Sequence, residues 1–227
     1  METLPVPRAV VFDAYGTLFD VYSVALLAEQ LFPGQGNALG LLWRDKQIEY
    51  TRLTSMSGRY QPFWELTRAG LRFAALRLGL TLDEAAEAQL MNQYRHLSAF
   101  PENLDVLREL QRRGVPCAIL SNGDPEMLAV GVKSAGFEPF LAHVLSVHGV
   151  RRYKTDPATY ALGPQALGLP ARQILFVSSN GWDAIGATWY GYTTLWVNRQ
   201  GLPLEQLGTE PTRTGSSLRD VLTFFSS

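Results

Sequence analysis

The chain has 227 residues, 46% of them hydrophobic and 18% charged, with 20 basic and 21 acidic residues and a net charge of −1. That is enough sequence for one large domain, or for a domain carrying an inserted subdomain. A near-neutral balance without a basic stripe argues against a nucleic-acid partner, and no apolar run approaches the roughly 20 residues that span a bilayer. The lone cysteine, Cys117, lies in the apolar run 115–120 and reads as a buried strand residue without a disulfide partner. Residues 1–8 carry neither the basic region nor the long apolar segment of a signal peptide, so a reducing cytoplasm is the expected location.

The first element is the β-favouring run Ala9 to Phe12, which stops at Asp13 and opens into a turn containing Gly16. A buried parallel strand reads this way when it delivers a side chain to its C-terminal end. Taken alone, Asp13 reads better as a strand-ending residue in an Asx-type turn, and the later strand ends reverse that preference. Strands then disappear, and helical spacing runs through 24–31, 38–53, 62–78 and 82–97, punctuated by Gly34-Gln35-Gly36, Ser57-Gly58 and Gly79. Thr81 followed by Glu84 has capping-box spacing and marks the last of these starts. Four helices inserted after one strand predict a helical subdomain over the strand's active end, spanning 21–97. The core is then 1–20 together with 98–227.

From residue 101 onward, β and α alternate. A helix over 101–113 is stopped by Gly114, and a strand over 115–120 ends in Ser121-Asn122-Gly123. Asp124-Pro125 starts a helix as N-cap and first-turn proline, and Gly136 closes it. A short strand near 142–147 precedes the loop that carries Lys154. Asp156-Pro157 begins a helix that Gly163-Pro164 should kink or break. The strand 174–177 ends in Ser178-Ser179-Asn180-Gly181-Trp182-Asp183, followed by a helix to about Gly191, a strand over 193–197 and a closing helix over 217–225. The alternation predicts an α/β fold with a doubly wound, mostly parallel sheet and right-handed crossovers.

Polar groups stand at several predicted strand ends: Asp13 with Thr17, Ser121 with Asn122, Lys154 after the short strand, and Ser178, Asn180 and Asp183. In one parallel sheet these ends line a single crevice. A carboxylate there can act as a nucleophile, and a nearby lysine keeps it ionised. Ser121, Thr17 and turn amides can hold an anionic group. His96, His143 and His148 form no metal-ligand pattern and read as structural or surface residues.

The segments Asp13-Ala14-Tyr15-Gly16-Thr17-Leu18, Ser121-Asn122-Gly123, Tyr153-Lys154 and Ser178-Ser179-Asn180-Gly181-Trp182-Asp183 resemble the signature segments of the haloacid dehalogenase superfamily. The likeness is closer to its L-2-haloacid dehalogenase branch. It extends into the helical insert through Trp43-Arg44-Asp45-Lys46-Gln47, Glu49-Tyr50, Gly58-Arg59-Tyr60 and Phe63-Trp64. It thus covers nearly the whole chain in order, and implies a Rossmann-like core with a helical cap. Phosphatases of the superfamily carry a second acid two residues after the first; here that position is Tyr15. Where they offer Gly-Asp, this chain has Ser179-Asn180, a poor donor set for magnesium, which prefers carboxylate oxygens.

The resemblance implies hydrolytic dehalogenation of short 2-haloalkanoates without metal or cofactor. Asp13 displaces halide from the α-carbon, and water hydrolyses the resulting ester to a 2-hydroxy acid. It further implies that Asp183 handles the water, with Lys154, Ser178 and Asn180 orienting the two carboxylates and Thr17 also among the catalytic residues. Arg44, Asn122 and Phe63 receive the halide, and Tyr15, Ile48, Ser121, Tyr160 and Trp182 line the substrate pocket. The implied partners are a 2-haloacid and halide, with no nucleic acid or membrane, in a homodimer formed through cap helices. Other readings stay open at this stage: a magnesium-dependent phosphatase of the same superfamily, or a carboxylate-binding protein without turnover. By composition alone Arg44 is a solvated helix residue, and Phe63 is core. Asp45 departs from the neutral amide expected beside Arg44 and is expected to pair with it. Thr155 and Pro164 are further departures, in scaffold positions.

Overall fold

The computed structural model describes residues 6–225. Six parallel strands form one sheet: β1 (Ala9–Phe12), β2 (Cys117–Ser121), β3 (His143–Ser146), β4 (Ile174–Ser178), β5 (Thr193–Val197) and β6 (Arg213–Gly215). Their spatial order is β3-β2-β1-β4-β5-β6. β1 is therefore central, with Val10 registered on Cys117 to one side and Leu175 to the other. The strands β1, β2, β4 and β5 are buried throughout, because helices cover both faces. This is why they read as continuous apolar runs rather than as an alternation. The order reverses between β1 and β4, and a crevice opens beyond the strand ends at such a switch point.

Between β1 and β2 the chain forms α1 (Val24–Leu31), α2 (Gly36–Met56), α3 (Phe63–Arg77) and α4 (Glu84–Arg95), in the four places predicted. α2 packs on α1 and α3, and α1 packs on α4. The buried Trp43 indole donates to the Thr67 carbonyl at 2.7 Å, tying α2 to α3. The start of α4 differs from expectation. Asp83, not Thr81, is the N-cap, and its carboxylate accepts from the Ala86 amide at 2.8 Å. A carboxylate directly before the helix reaches the free amide without the detour that Thr81 would need.

The remaining helices are α5 (Asn103–Arg112), α6 (Pro125–Ser134), α7 (Pro157–Tyr160), α8 (Leu162–Leu167) and α9 (Gly181–Tyr190). The break foreseen from Gly163-Pro164 falls at Ala161, between α7 and α8. The closing segment Leu218–Phe225 is a 3-10 helix, not an α-helix. β6 has no counterpart in the sequence reading, being three polar, partly exposed residues at the sheet edge. Lys154 does not directly follow β3, since the turn Val147–Gly149 intervenes. No helix among the described residues is long and apolar enough to cross a membrane.

Candidate active site

β1 ends one residue before Asp13, whose own amide still bonds to the Val177 carbonyl of β4 at 2.9 Å. The strand ladder thus fixes the Asp13 backbone at the switch point. Its carboxylate, 5% exposed, is held from both sides. Oδ2 accepts from the Thr17 hydroxyl at 2.8 Å and the Asn180 amide at 2.9 Å, with the Ser178 hydroxyl at 3.5 Å. Oδ1 accepts from the Lys154 ammonium at 3.0 Å. Thr17 Oγ1 also accepts from the Ser179 amide at 2.8 Å, and Ser178 Oγ from the Asn180 amide at 3.1 Å. The loop after β4 is in this way stitched to the turn after β1.

Lys154, 2% exposed, reaches a second carboxylate as well, with Asp183 Oδ2 at 2.9 Å. Burial pulls its pKa down, but attraction from Asp13 and Asp183 outweighs this and holds the ammonium above its ordinary value. Burial, opposed by Lys154, holds Asp183 above the usual carboxylate range. The other Asp183 oxygen accepts from the Tyr160 hydroxyl at 2.7 Å. Among the described residues, no three His, Cys, Asp or Glu side chains gather as a metal-holding group.

The opposite wall comes from the helices. Arg44, Gln47, Ile48 and Thr51 share one face of α2, at the i, i+3, i+4 and i+7 spacing that stacks side chains above one another. Arg44 is 8% exposed, not a solvated surface residue. It donates to Gln47 Oε1 at 2.7 Å, to the Tyr15 carbonyl at 3.0 Å and to Asn180 Oδ1 at 3.2 Å. Asp45 lies about 100° further round the helix, lines an outer vestibule and makes no ion pair with Arg44, contrary to expectation.

A small cavity lies between the two walls, lined by Asp13, Tyr15, Arg44, Ile48, Thr51, Phe63, Ser121, Asn122, Asn180 and Trp182. The Tyr15 ring packs on Phe63 and Tyr94, with centroids 5.5 and 5.8 Å away. Burial keeps its phenol neutral by raising its pKa well above normal. A Cβ at Gly123 would come within 2.6 Å of that ring, so the turn after β2 requires glycine to let Tyr15 lie flat. Ser121 Oγ accepts from the Gly123 amide at 3.0 Å, which leaves its proton free to donate into the cavity.

Two predicted positions are corrected. Tyr160 is fully buried behind Asp183 and does not line the cavity. Thr17, also fully buried, has its hydroxyl committed to Asp13 and the Ser179 amide, so it holds the aspartate and not a substrate anion. Three residues were missed. Thr51 lines the cavity. The buried Gln47 joins Arg44, the Tyr94 hydroxyl (3.1 Å) and Thr67 Oγ1 (2.6 Å). The spacing of Gln47 and Thr51 from Arg44 was the available signal; nothing in the sequence pointed to Tyr94.

A parallel sheet that aims a lysine-held aspartate into a small cavity at its switch point is the build of an α/β enzyme. The family model for haloacid dehalogenase-like hydrolases matches residues 7–191, and the chain belongs to that family. It is 46% identical over 220 residues to an (S)-2-haloacid dehalogenase of Pseudomonas sp. (strain YL), covering 97% of this chain and 95% of the relative. A crystal structure of an L-2-haloacid dehalogenase superposes with a TM-score of 0.96 at 59% identity, covering 98% of this chain and 100% of the other. The L-2-haloacid dehalogenase of Xanthobacter autotrophicus with chloropropionic acid covalently bound superposes with a TM-score of 0.89 at 36% identity, over 96% of this chain and 98% of the other.

Proposed function

We propose that the protein hydrolyses short 2-haloalkanoic acids to 2-hydroxy acids through an ester on Asp13. The observation that carries this reading is the Asp13 carboxylate, bonded to Lys154 at 3.0 Å and Asn180 at 2.9 Å and facing the cavity. The covalently bound chloropropionic acid of the Xanthobacter relative supports it. An Asp13 oxygen attacks the α-carbon from the side opposite the halogen. As the new C–O bond forms, the carbon–halogen bond breaks and halide leaves with its electron pair. Halide needs no proton, so Tyr15 stands without penalty where an acid would otherwise be required. Arg44 and Asn122 receive the anion against the Phe63 ring, while Ser121 holds the substrate carboxylate.

Water then adds to the ester carbonyl of Asp13. The Cγ–O bond to the product breaks, releasing the 2-hydroxy acid with inverted configuration. In this reading Asp183 takes the water's proton and passes it to the departing alkoxide oxygen, and the proton then left on the Asp13 carboxyl goes to solvent. Burial strengthens Asp183 as a base, and esterification of Asp13 leaves it, among the described residues, the sole carboxylate on Lys154. Lys154 Nζ fills the space between the two carboxylates that a cation would need, which favours metal-free chemistry over phosphoryl transfer. Residues 21–97 act as a cap over a core of 1–20 and 98–227. Cys117, a buried thiol with its pKa pushed up to about 12, fits the reducing cytoplasm.

The test is halide release from L-2-chloropropionate, bromoacetate and fluoroacetate, with and without EDTA. Release that EDTA leaves unchanged is expected. Release that EDTA abolishes, or hydrolysis of phosphate esters alone, would overturn the reading. We further read the protein as a homodimer joined through these helices, whose Leu26, Leu41, Leu53 and Leu76 are exposed. Light scattering at micromolar concentration should give twice the chain mass; a monomer there removes the suggestion.

A further inference from the structure

Pro62 stands at the N-cap of α3, and its side chain has no acceptor for the helix's first amides. Those amides are taken from outside the helix, by a residue of the sheet layer. Asp124 Oδ1 accepts from the Phe63 amide at 3.0 Å, and Oδ2 from the Trp64 amide at 2.7 Å. Asp124 was expected to cap its own helix, α6. It occupies that N-cap position but gives α6 no side-chain hydrogen bond. A carboxylate set on both leading amides of a 15-residue helix makes charge-assisted bonds along the helix dipole. The contact therefore fixes both position and angle.

What it fixes matters to the cavity. Asn122, two residues before Asp124, lines one side, and its Oδ1 accepts from the Lys154 amide at 3.0 Å. The Gly123 carbonyl between them accepts from Ser146 Oγ at 2.6 Å, so this loop is held to the sheet. Phe63, the first residue of α3, lines the other side. Asp124 is thus the short strut between two walls that belong to different layers. The His148 imidazole stands 3.3 Å from Asp124 Oδ1 and 3.0 Å from the Tyr60 hydroxyl, on the chain leading into α3.

We propose that Asp124 is a positioning residue that sets the separation of Asn122 and Phe63, and through it which halogen the cavity accepts. This rests on the dehalogenase reading. Halogens differ in radius by fractions of an ångström, so a small displacement of Phe63 is enough to change their ranking.

The experiment compares Asp124→Ala and Asp124→Asn with Asp83→Ala, which removes the N-cap of α4 away from the cavity. kcat/KM is measured for L-2-chloropropionate and L-2-bromopropionate, alongside melting and the hydrogen exchange of the Phe63 and Trp64 amides. Both alanine variants should melt earlier. Only Asp124→Ala should speed exchange at these two amides and shift the bromide-to-chloride ratio of kcat/KM, by about tenfold toward bromide, the scale of one lost cap. Asp124→Asn, which keeps one acceptor, should restore part of the ratio and supplies the reading if Asp124→Ala does not fold. An unchanged ratio in a folded Asp124 variant, or an equal shift in Asp83→Ala, overturns the proposal. If the wild type releases no halide, the specificity claim falls with the dehalogenase reading. Exchange at Phe63 and Trp64 then still reports whether the strut exists.

Discussion

In Asp13→Asn, halide release falls by roughly four to six orders of magnitude, the scale of losing a covalent nucleophile. The fold survives. The substitution exchanges one oxygen for a nitrogen of nearly the same size. An Asn carbonyl at the Oδ2 position can accept from Thr17 and Asn180 as the carboxylate does. Lys154 keeps its bond to Asp183 at 2.9 Å, so the ammonium is not left without a counter-charge. Melting should therefore move by only a few degrees while chemistry is lost, because a neutral amide cannot displace halide. A second measurement locates the bond that forms. In heavy-oxygen water with enzyme in excess, the first 2-hydroxy acid released should carry ordinary oxygen, and the label should enter Asp13. Label in that first product would mean that water attacks the α-carbon directly. Substantial turnover by Asp13→Asn, with the peptide mass showing no deamidation back to Asp, would mean that another group is the nucleophile.

The cavity wall on the sheet side was legible because a parallel sheet simplifies its own sequence. β1, β2 and β4 are covered on both faces, so each appears as an unbroken apolar run, and the first polar residue after each run marks the crevice. Asp13, Ser121 and Ser178 follow directly from that rule, with Asn122 and Asn180 just beyond. β6 escaped because Arg213-Thr214-Gly215 lies at an exposed edge, where nothing selects for apolar residues. Tyr160 was misplaced because α7 is a single turn, too short to show which face is buried. Asp124 illustrates a general blindness. An aspartate before a proline reads as a local N-cap, since local acceptors and donors are all that sequence spacing describes. Its actual donors are sixty residues away, and a chain cannot announce such a partner without folding. Arg44 and Asp45 make the opposite point. They are neighbours in sequence, but the helix turns one into the cavity and the other toward the vestibule.

Lys154→Met should damage stability and turnover together, and the two losses have one cause. Among the described residues, Lys154 is the sole cation bonded to Asp13 and Asp183, both nearly or wholly buried. Removing one partner from a buried ionic cluster costs about 3–5 kcal/mol, because the abandoned charge remains out of water. For a chain of this size that lowers Tm by roughly 10 °C. The sign with pH follows from the shifts. The Lys154 pKa is raised on folding, so its stabilisation is complete below the unfolded value of about 10.4 and is lost only as pH rises through the higher folded value. At neutral pH the full contribution is present and the full loss is seen. Asp183 is already held above the usual carboxylate range by burial, and Lys154 opposes that shift. Without the lysine it should bind a proton at still higher pH. Because Asp183, as the proposed base, must be ionised, the acidic limb of the pH–rate profile should move upward. Adding Asp183→Asn should recover part of the lost Tm, since a neutral amide needs no counter-charge, while leaving turnover low. Melting of the single and double variants together with a pH–rate profile of halide release checks this. A Lys154→Met protein that melts like the wild type would mean that the carboxylates are satisfied by water, and the ammonium would then lose its assigned place as the charge that holds the site together.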